Sequence, residues 1–110
     1  MRIWDVEPQE LCRQHLLGEH RELHGLWNVI TQGKTGYSRH PETVRWVGRT
    51  RALWRRHEDL VAEMDRRGYT HASPLDPSLA AGPEVNERRV DDEATKRRLL
   101  RDKPCPCPVA

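Results

Sequence analysis

Between residues 8 and 32 the apolar side chains Cys12, Leu16, Leu23, Trp27 and Ile30 recur at three- and four-residue intervals or their sums. At about 100° per residue that spacing gathers them within about 40° of one direction. It predicts an amphipathic helix over residues 8–32, opened by Pro8 and closed by Gly33. A second stripe, Trp46, Leu53, Leu60 and Met64 with His57 on it, predicts one long helix from Pro41 to about Arg67, stopped by Gly68. "GKTGYSRH" connects the two. Ahead of them Ile3, Trp4 and Val6 favour an extended arm. After Tyr69 the Pro-, Ala- and Ser-rich "THASPLDPSLAAGPEVNE" reads as an irregular surface crossing. "DDEATKRRLLRDK", with acids first and bases last, predicts a short third helix that "PCPCPVA" cannot continue.

Strand signals are nearly absent beyond the arm, and no segment repeats. The expected fold is all-α: a single compact domain of two long helices and a shorter third, with the arm packed on the first helix. Residues 1–75 form the helical core that carries the chemistry, and residues 76–110 add the crossing, the short helix and the Pro/Cys tail of the same domain.

Composition changes this picture in a few places. A chain of 110 residues supports one modest core, and with four Trp and no Phe that core must be tryptophan-anchored. The net charge of +2 is small, but Arg45, Arg49, Arg51, Arg55 and Arg56 follow Glu42 with no acid until Glu58. Such a run is either a phosphate-binding field or a solvated face paired with Glu58, Asp59 and Glu63. No apolar run approaches the ~20 residues of a bilayer span, and "MRIWDVEPQE" lacks the core of a signal peptide. A cytoplasmic, nucleoid-associated monomer is expected, with no membrane partner. Cys12, Cys105 and Cys107 make an odd count and suggest a reduced tail, not a disulfide framework. His20 and His24 stand at i, i+4, a zinc-ligand spacing, but no HExxH pattern accompanies them, and neither a metal nor another cofactor is expected.

The candidate chemistry lies on the polar side of the first helix, in "QHLLGEHRELHGLW". Gln14, His15, Gly18, Arg21, Glu22 and Gly25 occupy roughly the third of the wheel opposite the apolar stripe. Each glycine there costs about 1 kcal/mol of helix stability relative to alanine. Two of them seven residues apart leave room for a backbone to pass close by, or simply for close helix packing. The nearest backbone in sequence is the arm. Folded back, it would bring the α-amine of Met1 and the side chain of Arg2 beside Glu22 and Arg21. An α-amine, with an ordinary pKa of about 7.7 to 8.0, is partly a neutral nucleophile at physiological pH and forms Schiff bases with sugar carbonyls. Arg2 is too large a second residue for methionine aminopeptidase, so Met1 should be retained.

"MRIW", "ELCRQHLLGEHREL" and "ALWRRHEDLVAEMDRRGY" together resemble the pyrimidine-dimer DNA glycosylase/AP lyase family, the phage excision-type endonuclease V, over about residues 1 to 75. The resemblance implies a largely helical DNA repair enzyme acting on double-stranded DNA with a damaged base or an abasic site. It further implies that the N-terminal amine forms a Schiff base at C1′ and that β-elimination follows. By position, Met1 and Glu22 become the catalytic residues, and Arg2, Gln14, His15 and Arg21 become DNA contacts. Arg39, Arg45 and Arg49 from the basic stretch and its connector would add backbone affinity. Gly25 stands where the family pattern carries an arginine, and "KPCPCPVA" replaces an aromatic, basic tail. The alternatives are a glycosylase/lyase for another lesion, a non-catalytic DNA-binding module on the same scaffold, and a helical adaptor for protein partners.

Overall fold

A computed structural model describes residues 2–36, 38–71, 73–104 and 107–108. Met1, Tyr37 and Cys105 lie outside the described residues. The chain is all-α, with helices α1 (Arg13–Gln32), α2 (Pro41–Val44), α3 (Thr50–Arg66) and α4 (Glu93–Asp102), 3-10 turns at Pro8–Glu10 and Pro77–Leu79, and no strand among the described residues. No helix is long and apolar enough to cross a membrane among those residues.

The first predicted helix begins later than expected. Pro8 opens a 3-10 turn, Leu11 and Cys12 are extended, and α1 starts at Arg13 and ends on Gly33 at φ 66°. The second predicted helix is two. α2 stops after Val44, Gly48 takes φ 76°, and α3 begins at Thr50, ending before Gly68 at φ 82°. α4 is where the third helix was expected, its N-terminus capped by the Asp92 carboxylate accepting from the Thr95 amide at 2.8 Å.

α1 and α3 pack along their apolar stripes. Leu16, Leu23, Leu26 and Trp27 meet Leu53, Leu60 and Met64, and Trp46 seals one side. The arm contributes to this core: Ile3, Trp4 and Val6 are buried among the same side chains, as is Leu100 of α4. Burying an aliphatic side chain is worth about 1.5–3 kcal/mol, so the arm is held by its apolar residues before any polar contact is added.

The break between α2 and α3 has a visible cause. A Cβ on Gly82 would sit 2.1 Å from the Gly48 carbonyl oxygen, so the crossing passes directly over the Gly48 turn. Thr50 stitches the two together: its Oγ1 accepts from the Ala81 amide at 2.8 Å, while the Arg51 amide donates to the Ala81 carbonyl at 2.9 Å. The close backbone approach expected at Gly18 and Gly25 occurs here. At those two positions an added Cβ meets nothing within 4 Å, so neither makes way for a passing backbone among the described residues.

Candidate active site

The arm is fixed to α1 and α2 by two buried carboxylates. Glu19 accepts the Trp4 amide at 2.7 Å and a two-pronged grip from Arg56, Nε to Oε2 at 2.7 Å and Nη2 to Oε1 at 3.1 Å. Arg56 also donates to the Val6 carbonyl at 2.8 Å. Glu42 accepts the Ile3 amide at 3.2 Å and Arg45 Nε at 2.8 Å. Arg45 reaches on to the Ile3 carbonyl and the Asp5 carboxylate, and Lys96 of α4 also pairs with Asp5. Asp5 itself turns the arm at φ 59°, a left-handed conformation aspartate tolerates better than most residues. Three acids, Glu19, Glu42 and Asp5, thus meet three bases, Arg56, Arg45 and Lys96, and that pairing is what allows the charges to be buried there.

These contacts correct the reading of the basic stretch. Arg45 is 3% exposed and its guanidinium is consumed by Asp5, Glu42 and backbone carbonyls. It holds the arm and is not presented to a phosphate. Arg56 is committed to Glu19, and Arg55 lies 3.7 Å from Glu84. Arg49 donates to the Val47 carbonyl, and Arg39 is exposed on the connector. Neither Arg39, Arg45 nor Arg49 borders the cleft described next.

With the arm so placed, a cleft of about 470 Å³ opens between it, α1 and the end of α4. Arg2, Gln14, His15, Gly18, Arg21 and Glu22 all line it, joined by Trp4, Glu19, Leu99 and Lys103. Five of the nine side chains named from the sequence therefore converge, and Met1 precedes Arg2 in the chain, outside the described residues. Arg2 is steered by Asp91 at 2.7 Å and lies 5.1 Å over the Trp4 ring. Gly18 keeps the floor open instead of admitting a backbone.

The cleft holds two carboxylates with opposite circumstances. Glu19 is buried and spent on Arg56 and the arm, whereas Glu22 is exposed and makes no hydrogen bond or ion pair among the described residues. Arg2, Arg21 and Lys103 supply positive charge around it. His15 packs edge-on against Trp4 at 5.7 Å, and its Nδ1 contacts the sulfurs of Cys12 and Cys107 at 3.2 and 3.3 Å. Burial, helped by the nearby Lys103, pushes its pKa below the ordinary histidine value and so favours the neutral ring. The tail returns at Cys107 to the start of α1, where Cys107 Sγ accepts the Cys12 amide at 3.1 Å.

Sequence reasoning missed three of these residues. Glu19 shares the "GEHREL" block with Glu22 but acts through Arg56, 37 positions away. Leu99 lies on α4 and Lys103 follows its last residue, and no local pattern announces the arrival of α4 at the cleft.

A helical scaffold thus presents an exposed carboxylate among cationic side chains beside a buried N-terminal arm. The profile of the pyrimidine dimer DNA glycosylase family matches residues 1–77, so the chain belongs to that family. It is thereby placed among the DNA glycosylases of DNA repair, whose substrate is DNA. No curated protein and no solved structure matches it.

Proposed function

We propose that the protein is a DNA glycosylase with AP lyase activity on duplex DNA, with the Met1 α-amine as nucleophile and Glu22 as general acid and base. The observation that carries the reading is Glu22, exposed and without a partner among the described residues in a cationic cleft at the base of the arm, while Glu19 beside it is already spent.

The amine lone pair forms a bond to C1′ as the glycosidic bond breaks, and its electron pair departs on the base, which takes up a proton. Loss of the amine proton makes the C1′=N imine as C1′–O4′ opens and O4′ is protonated. Removal of a C2′ proton then expels the 3′-phosphate and cuts the strand. Glu22 is the group able to shuttle those protons and to stabilise the cationic iminium. Arg2, Arg21 and Lys103 hold flanking phosphates, and their charge favours the neutral amine. Gln14 and His15 contact the displaced nucleotide. An enzyme of this kind must distort the duplex or extrude a base to reach C1′.

The reading is tested by borohydride trapping of tag-free protein on duplexes carrying an abasic site or a thymine dimer, with Glu22→Gln and an N-terminally blocked sample alongside. An adduct on both substrates, lost on blocking, is the expected result, with strand cleavage by Glu22→Gln reduced about 10²–10⁴-fold. Trapping on the abasic site alone retains the lyase and excludes the dimer. Absence of any adduct while DNA is still bound overturns the catalytic reading in favour of a binding module.

A further inference from the structure

On the side of α1 away from the cleft, four histidines turn their rings toward one point. His20 and His24 stand on α1, His57 is on the apolar stripe of α3, and His71 opens the crossing. His20 Nε2 lies 2.9 Å from His71 Nε2, His24 Nε2 lies 3.2 Å from His20 Nε2, and His57 Nε2 lies 3.2 Å from His24 Nε2. At about 100° per residue, His20 and His24 are each about 200° around the helix from Gly18 and Glu22 respectively. They share no wall with the cleft.

Hydrogen bonding alone does not account for this arrangement. A neutral imidazole offers at Nε2 either one proton or one lone pair. In the chain His71–His20–His24–His57 the two middle nitrogens each have two nitrogen neighbours, so at most two of the three contacts can be linear hydrogen bonds. Burial first, then the three neighbouring histidines, pulls the pKa of His20 down to about 4. Neutral imidazoles are what a metal ion requires.

We propose that His20, His24, His57 and His71 form a tetrahedral site for a divalent transition-metal ion of the zinc type. Four nitrogens at the 2.0–2.1 Å of a zinc–imidazole bond would stand about 3.3 Å apart along each tetrahedral edge. The observed contacts approach that length, and the candidate ligand atoms all lie within 4.8 Å of one another. The surroundings are those of a metal-bound histidine. Glu58 Oε1 lies 3.0 Å from His57 Nδ1, orienting the ring so that Nε2 faces the cluster, and the Ser73 backbone hydrogen-bonds the His24 ring. Four protein ligands leave no open position, so the ion is structural. It staples α1 to α3 and to the crossing 51 residues beyond His20, and so stiffens the helix that presents Glu22 from behind.

The test uses the full chain without a histidine tag, stripped by chelator and titrated with Zn²⁺ and with Co²⁺ as a spectroscopic probe. One ion per chain is expected, with a raised melting temperature and tetrahedral cobalt bands in the visible region. Bands of sulfur-to-cobalt charge transfer should be absent. His71→Asn, outside any helix, should weaken zinc binding by more than about 100-fold, and Glu58→Gln by about 10–100-fold. Thiolate charge-transfer bands that persist in His71→Asn would move the ion to Cys12, His15 and Cys107 and overturn the proposal. So would the absence of any bound ion. The cobalt spectrum of the unmodified protein decides between these outcomes even if a variant fails to fold.

Discussion

Replacing Glu19 and Glu22 in turn separates holding the arm from doing the chemistry. The Glu19 side chain is wholly buried and that of Arg56 is 12% exposed. Glu19→Ala would leave the Arg56 guanidinium inside the protein without its acid and the Trp4 amide without its acceptor. Breaking a buried pair from one side costs about 3–5 kcal/mol. An orphaned amide adds about 1–3 kcal/mol. Against a total stability of about 5–15 kcal/mol for a native domain that is a large fraction, so the milder Glu19→Gln, which keeps an acceptor for Trp4, is the useful variant. A loss of about 3 kcal/mol is expected, a fall of roughly 12–24 °C in melting temperature. Glu22→Gln, at an exposed position with no partner among the described residues, should change stability by no more than about 0.5 kcal/mol. Urea denaturation gives the stabilities, and borohydride trapping at a temperature where both variants are folded gives the chemistry. Glu22→Gln should stay stable and lose strand cleavage, whereas Glu19→Gln should lose stability first. A stable Glu19→Gln protein that no longer cuts would refute the division of labour between the two carboxylates.

Gly25→Ala fills open solvent on an exposed helix face and should raise stability by about 0.5–1 kcal/mol with DNA cleavage unchanged, as measured by urea denaturation and a nicking assay. Gly82→Ala does the reverse: at φ 84°, with its Cβ driven into the Gly48 carbonyl, it should lower the melting temperature well beyond what an ordinary surface substitution does. Glu63 is held down to about pKa 2, first by its hydrogen bond from Arg66, then by Arg67, against the opposing effect of burial. Its contribution to stability is therefore complete above pH 4.5 and disappears as the pH falls from there toward 2. With Arg66 65% exposed and screened by solvent, Glu63→Gln should cost about 1–2 kcal/mol at pH 7, the difference from the unmodified protein closing in acid. Arg21→Ala should weaken DNA binding about equally across sequences and reduce the slope of log affinity against log salt by about 1.

The fold was legible where periodicity is long. α1 and α3 follow from their stripes, and Gly33 and Gly68 end them by taking the left-handed conformation. The division at Gly48 was not legible, because the stripe runs on from Trp46 to Leu53 and the Gly48 turn packs against Gly82, far along the chain. The same limit divides the site. Gln14, His15, Arg21 and Glu22 share one helix, so a wheel collects them, and the arm adds Arg2. Arg45 was misread because a run of charge does not say which members face inward; its partners Asp5 and Glu42 settle that only in three dimensions. Half of the histidine cluster, His20 and His24, is written at helical spacing, while His57 and His71 join it through the packing of α3 and the crossing. Of the two glycines of α1, Gly18 lines the cleft and leaves its floor open, while Gly25 lies outside it.

The ionic contacts that close over the arm join Arg2 to Asp91, Asp5 to Lys96 and Glu10 to Arg97. In the order of synthesis this means that the arm leaves the ribosome well before these fastenings do. Glu19 and Arg56 can begin to hold it as soon as α1 and α3 have paired, and Arg45 can meet Asp5 once α2 has formed, but Lys96, a further cation on Asp5, appears only 91 positions after it. A nascent chain that ended before Asp91 would carry the helix with Glu22 but not the acid that holds Arg2.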